Sequence, residues 1–174
     1  MHCNFPLSRA RVMVVEDDAV TRRLLCSAIE LESSLVLVGA CSTVTNALVW
    51  LEFNQCDLLL TDLGFPDGSG LMIIDACQKL NPQADIMVIT MSSDEDKVLA
   101  CIEAGASGYV LKETAHKEVV RALLDVLNGG SPISPVIARK VLTRMRLQRT
   151  QAIEPAPSEW GSLTRREAAI LQLI

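Results

Sequence analysis

The chain has 174 residues, of which 49% are hydrophobic but only 3% aromatic, and it carries a formal net charge of -5. That length holds one well-buried domain with residues to spare, the core must be aliphatic, and so mild an acidity gives no sign of a nucleic-acid or membrane partner for the chain as a whole. The charge is uneven, because five of the 16 basic residues and none of the 21 acidic ones fall between Val136 and Thr150, so an acidic body carries a basic segment.

Residues 1–10 read as an N-terminal tail, too short and too polar for a signal peptide. No apolar run approaches the length of about 20 residues that a bilayer requires, so the expectation is a cytoplasmic protein without a membrane partner. Continuous apolar runs then recur at Val12–Val15, Leu35–Val38, Leu58–Leu60, Ile86–Ile89 and Tyr109–Leu111. Runs of this kind suit strands buried on both faces. Helical spacing separates them, with apolar stripes at Val20, Leu24 and Ala28; Val44, Leu48 and Leu51; Ile73, Cys77 and Leu80; Val98 and Ile102; and Val119, Leu123 and Leu127. Strand and helix in strict alternation predict an α/β fold, a doubly wound parallel sheet of five strands, within residues 11–128. Six cysteines (Cys3, Cys26, Cys41, Cys56, Cys77 and Cys101) lie mostly in apolar stretches with no C-x-x-C spacing, and read as reduced small hydrophobes.

Gly129-Gly130 stops the fifth helix, and Ser134-Pro135 reads as an N-cap with proline at the first helical position, opening a basic helix to about Gln148. Ile137, Val141 and Met145 line one face of it, so Arg139, Lys140, Arg144, Arg146 and Arg149 read as its solvated side. Thr150–Gly161, with Pro155 and Pro157, has no periodicity, and residues 129–161 together read as a linker containing that helix. In residues 162–174, Thr164 and Glu167 form a capping box ahead of the apolar Ala168–Ile174.

The chemistry concentrates at strand ends. Glu16 and Asp17 follow the first strand and Asp62 closes the third, and in a sheet of order 2-1-3-4-5 the ligand crevice lies between strands 1 and 3. A single strand-end aspartate is usually just solvated. Three acids converging on one point repel unless a cation or protons neutralise them, and an all-oxygen site suits Mg²⁺. Thr90 and Lys112 end the fourth and fifth strands on the same edge, where a hydroxyl and an ammonium can serve the equatorial oxygens of a phosphoryl group that a carboxylate attacks.

Met13–Asp18, Thr61–Gly70 and Gly105–Lys112 together resemble the three signature blocks of response-regulator receivers, over about residues 11–128. The resemblance implies the flavodoxin-like fold, Asp62 as phosphoacceptor, and Mg²⁺ held by Asp17, Asp62 and the backbone carbonyl of Gly64, with Glu16 acting through water. It further implies that Thr90 and Lys112 contact the phosphoryl group, and that Tyr109 swings inward when Thr90 is drawn to it. Glu113 stands where most such receivers have proline, while Gly64 and Ser92 occupy the positions that tune phosphoryl lifetime. The C-terminal segments resemble the NarL/FixJ arrangement, in which a receiver joins a LuxR-type helix-turn-helix domain, here as an opening fragment over residues 162–174.

The expected function is a two-component response regulator that takes a phosphoryl group from a sensor histidine kinase and switches a DNA-binding output. It is no enzyme beyond self-catalysed phosphoryl acceptance and slow autodephosphorylation. Recognition of promoter DNA is expected of a full-length parent and not of this chain, since a recognition helix would lie past Ile174; a homodimer is a further expected partner. The alternative is a receiver acting through protein contacts alone. A haloacid-dehalogenase-like phosphatase would need a second acid where Gly64 stands, and a dinucleotide site would need G-x-G-x-x-G after the first strand.

Overall fold

A computed structural model of the chain describes residues 9–91, 94–112, 116–133 and 135–151. Cys3, Ser92, Glu113, Ser134, the linker after Gln151 and the Thr164–Glu167 capping box lie outside the described residues. The elements run β1 (Ala10–Val15), α1 (Ala19–Glu30), β2 (Leu35–Cys41), α2 (Val44–Phe53), β3 (Leu58–Thr61), β4 (Gly64–Phe65), β5 (Gly68–Ser69), α3 (Gly70–Leu80), β6 (Asp85–Thr90), α4 (Glu95–Glu103), β7 (Gly108–Leu111), α5 (His116–Leu127) and α6 (Pro135–Gln151). Five parallel strands pair in the order β2-β1-β3-β6-β7, the expected 2-1-3-4-5 once the small β4–β5 hairpin is set aside.

Burial follows position in the sheet. β1, β3 and β6 are buried almost throughout, whereas the outer strands β2 and β7 are partly exposed. Because side chains alternate across a strand, the sheet feeds two separate cores. Met13, Val15, Leu59, Ile86 and Val88 pack under α2, α3 and α4; Val12, Val14, Leu58, Leu60 and Met87 pack under α1 and α5. The outer edge of β7 is covered, since Tyr109 bridges Ile133 and the Tyr109 N–H donates to the Pro132 carbonyl at 3.0 Å.

Two expected stripes require correction. In α1 the buried residues are Leu25 and Ile29, while Val20 and Leu24 are 55% and 47% exposed. Both sets have helical spacing, but they differ by one residue, a rotation of about 100°. Leu25 and Ile29 pack into the core under α1 and α5, while the Asp18 carboxylate caps the helix start by accepting the Thr21 N–H at 2.7 Å and Arg22 reaches back to the Glu16 carbonyl. In α3, Leu80 is the last helical residue and is exposed, and Ile74 is buried with Ile73 and Cys77 instead.

The end of α5 behaves as its glycines predict. Gly129 takes φ +82°, its N–H donates to the Val126 carbonyl, and the Gly130 N–H reaches back to the Asp125 carbonyl at 2.8 Å, which is a Schellman closure. α6 then begins at Pro135 and runs three residues past the expected Gln148. Contacts divide the chain into two units, Met1–Val141 and Leu142–Ile174. Within the first, Ile137 is fully buried and Val141 packs on the core under α2 to α4. Within the second, α6 continues through Gln151 with Leu142 exposed. No helix among the described residues is long and apolar enough to cross a membrane.

Candidate functional site

Hydrogen bonds of the sheet extend past the strand ends and carry the predicted residues to one place. The Glu16 N–H donates to the Cys41 carbonyl at 3.1 Å, the Asp62 N–H to the Val15 carbonyl at 3.0 Å, and the Lys112 N–H to the Thr90 carbonyl at 2.9 Å. Each of these residues is thereby placed by backbone, before any side chain acts. Asp18 caps α1 immediately after Glu16 and Asp17, and the Arg22 guanidinium donates to the Glu16 carbonyl at 2.6 Å and the Asp17 carbonyl at 3.0 Å. That pins the acidic loop from the helix side.

Glu16 is fully buried and Asp62 is 7% exposed, whereas Asp17 is exposed. Ligand oxygens of the three acids lie within 4.8 Å of one another. The Lys112 ammonium answers part of this charge, donating to Glu16 Oε1 at 2.7 Å and to Asp62 Oδ2 at 2.6 Å. Asp62 Oδ1 accepts the Leu63 N–H at 2.6 Å. Burial raises the Glu16 carboxyl above its ordinary value; the Lys112 hydrogen bond opposes this and the nearby Asp62 charge adds to it. Burial alone would lower the Lys112 pKa, but hydrogen bonds to Asp62 and Glu16 outweigh that, so its ammonium is held charged above the usual lysine range.

One ammonium against three carboxylates leaves the site electron-rich, and one atom shows it directly: Glu16 Oε2 is buried with no hydrogen-bond partner. A buried carboxylate oxygen without a donor is costly unless a cation or water meets it. Hard oxygen donors, an exposed Asp17 at the rim and an orphaned oxygen beneath together fit a small divalent cation such as Mg²⁺.

Thr90 is 4% exposed and shares with Asp62 a cavity of about 470 Å³, lined also by Gly64, Ser69, Met91 and Lys97. Gly70, which opens α3, sits so close beneath that a Cβ there would collide with the Asp62 carbonyl. Tyr109 stands opposite Val88 in the β6–β7 ladder and is 1% exposed, so it already lies inward in this structure. Burial first, then Cys101, Asp62 and Asp94, push its phenol well above the ordinary tyrosine value. The structure therefore gathers Glu16, Asp17, Asp62, Gly64, Thr90 and Lys112 at one crevice, with Tyr109 buried on the neighbouring strand.

Sequence reasoning missed several supporting residues. Asp67 accepts the Val44 and Thr45 N–H groups and the Thr45 hydroxyl, each at 3.0 Å, so the loop after Asp62 is tied to the start of α2. No local spacing marks this contact, because 22 residues separate Thr45 from Asp67. Arg22, which holds the acidic loop, and Lys97, which lines the cavity, carry no motif or spacing that marks them in the sequence.

Residues 12–124 match the model of the response regulator receiver domain family. The chain is 31% identical over 161 residues to the uncharacterized transcriptional regulatory protein YhcZ of Bacillus subtilis (strain 168), covering 92% of this chain and 73% of that protein. It is 26% identical over 165 residues to the nitrate/nitrite response regulator protein NarL of Escherichia coli (strain K12), covering 95% of this chain and 74% of NarL. Among solved structures, a two-component response regulator of the LuxR family from Aurantimonas sp. SI85-9A1 superposes with a TM-score of 0.70 at 28% identity, over 80% of this chain and 99% of that one.

Proposed function

Since the chain belongs to the response regulator receiver family, with NarL- and LuxR-type relatives, we propose that it is the phosphoryl-accepting switch of a two-component system and that Asp62 is the acceptor. The observation that carries this reading is the Lys112 ammonium held on both Asp62 and Glu16 at the mouth of the crevice. It leaves one carboxylate at a strand end with a cation beside it and an open cavity in front of it.

In the proposed reaction an Asp62 carboxylate oxygen attacks phosphorus, the bond from phosphorus to the donor nitrogen or oxygen breaks, and the donor leaves with the electron pair. Glu16, Asp17, Asp62 and the Gly64 carbonyl would hold Mg²⁺, which supplies charge neutralisation on the phosphoryl oxygens when bound. Lys112 transfers its hydrogen bonds from Asp62 to a phosphoryl oxygen, and the Thr90 hydroxyl donates to another. Movement of Thr90 toward the phosphoryl group changes the packing around buried Tyr109, which carries the change to α4, β7 and α5.

The donor in this reading is a sensor histidine kinase, and the output is control of transcription through a DNA-binding region; the YhcZ relative is itself a transcriptional regulatory protein. Incubating the chain with acetyl phosphate and Mg²⁺ and recording intact mass tests the acceptor. One phosphoryl group is expected, lost in Asp62→Asn and with EDTA. Undiminished labelling of Asp62→Asn would refute the assignment.

A further inference from the structure

The loop that carries Glu16 and Asp17 is held from behind by a cation that works through the backbone. Arg22, half-buried on α1, places a single guanidinium nitrogen, Nη1, against two successive carbonyls, that of Glu16 at 2.6 Å and that of Asp17 at 3.0 Å. In a pleated strand successive peptide groups face opposite ways, so one nitrogen reaches both carbonyls only where the chain turns. It turns here: β1 ends at Val15, the backbone bends at Asp17, and α1 begins at Ala19. The front of the loop is tied as well. Glu16 Oε1 accepts from Lys112 at 2.7 Å and from the Asp18 N–H at 3.2 Å, and this leaves Oε2 as the buried oxygen without a donor.

We propose that Arg22 is a positioning residue for the divalent cation, fixing the turn from which Glu16 and Asp17 present their carboxylates. This rests on the reading of the crevice as a Mg²⁺ site. Arg22 acts on the cation only through those two residues, because its hydrogen bonds end on their carbonyls. With the guanidinium gone, both carbonyls turn to water, the bend at Asp17 relaxes, and the acids cease to converge on one point.

The charge of Arg22 opposes the role of its shape, which makes the sign of the effect decisive. A positive side chain near a cation site repels the incoming ion, so charge alone predicts that neutralising Arg22 tightens Mg²⁺ binding. Loss of positioning predicts weaker binding. Removing a group that orients metal ligands typically costs roughly 10- to 100-fold in affinity, whereas the repulsion of one partly exposed charge is screened at physiological salt, so the loss outweighs the gain. Arg23 supplies the control. It carries the same charge on the next residue, but it is exposed and its Nε donates within its own helix, to the Ala19 carbonyl at 3.1 Å.

The test titrates the unphosphorylated full chain with Mg²⁺ by isothermal calorimetry, at a temperature where circular dichroism shows each variant folded. Arg22→Met is expected to bind Mg²⁺ at least about 10-fold more weakly than the wild type, and Arg23→Met equally or slightly more tightly. Labelling by acetyl phosphate over a range of Mg²⁺ gives a second readout: Arg22→Met needs correspondingly more Mg²⁺ but reaches the wild-type rate at saturation. Should Arg22→Met not fold, Arg22→Lys decides, since it keeps the charge on a side chain one atom too short and is expected to weaken binding as well. Unchanged or tighter Mg²⁺ binding in the deciding variant, or a lower maximal labelling rate at an unchanged Mg²⁺ requirement, would overturn the role of Arg22 and leave the Mg²⁺ site standing. A wild-type chain that binds no Mg²⁺ would overturn both.

Discussion

Replacing Lys112 by methionine keeps the length of the side chain and removes its charge, which isolates what the ammonium does for the folded state. In the structure that ammonium touches two carboxylates, at 2.7 Å and 2.6 Å, whose side chains are 0% and 9% exposed. Without it, acids within 4.8 Å face one another with no cation between them. At an effective dielectric near 20, two unit charges that far apart repel by roughly 3 kcal/mol, and breaking a buried ion pair typically costs about 3–5 kcal/mol. Lys112→Met should therefore lose about 3 kcal/mol in urea unfolding at pH 8 with EDTA present. Adding Mg²⁺ should restore more stability to the variant than to the wild type, because the cation then answers charge that Lys112 no longer answers. Lys112→Arg serves as the charge-retaining control. Equal unfolding midpoints and slopes for wild type and Lys112→Met in EDTA would refute this reasoning, since the carboxylates would then need no partner.

Gly70→Ala should cost about 1–3 kcal/mol and slow phosphorylation, because the added methyl meets backbone at Asp62 and Leu63, which cannot rotate away; unfolding midpoints with labelling rates check both. Asp57 and Asp67 are held below the usual carboxylate range, Asp57 chiefly by Arg11 and Asp67 by the Thr45 and Val44 N–H groups. For such groups the unfolded chain binds protons first as pH falls, so their stabilisation is present above the unfolded value of about 3.9 and disappears as pH drops through the folded values. Unfolding midpoints between pH 6 and pH 2 should decline, and Asp67→Ala should flatten that decline while lowering the midpoint at neutral pH. Beryllofluoride with Mg²⁺ should slow amide exchange in α4, β7 and α5, and Thr90→Ala should remove that effect while leaving protection in the Glu16 and Asp62 loops; no change beyond those loops in the wild type would end the relay.

The fold was legible where burial is two-sided. Val12–Val15, Leu58–Leu60 and Ile86–Ile89 read as central strands because no polar residue interrupts them, and the strand-end acids were visible because a doubly wound sheet brings its carboxyl ends to one edge. Helix phase was less legible. Val20 and Leu24 fit a stripe as well as Leu25 and Ile29 do, and what separates them is the packing of Leu25 and Ile29 against the sheet and α5, which apolar spacing alone does not show. Contacts between distant segments left no local signal, which is why the tie of Asp67 to α2 went unread. Lys112 was legible as a member of the site, but its double hold on Glu16 and Asp62 depends on Glu16 being fully buried, a depth that the adjacent exposed Asp17 gives no reason to expect.

The central claim is that Asp62 alone accepts the phosphoryl group, and chemical trapping of the acyl phosphate tests it most directly. After reaction with acetyl phosphate and Mg²⁺, borohydride reduces an aspartyl phosphate to homoserine, and peptide sequencing by mass spectrometry then locates it. Homoserine at position 62 and at no other aspartate is the predicted result. Homoserine at Asp17 or another position, or a phosphoryl group that survives borohydride on a hydroxyl or imidazole side chain, would contradict it.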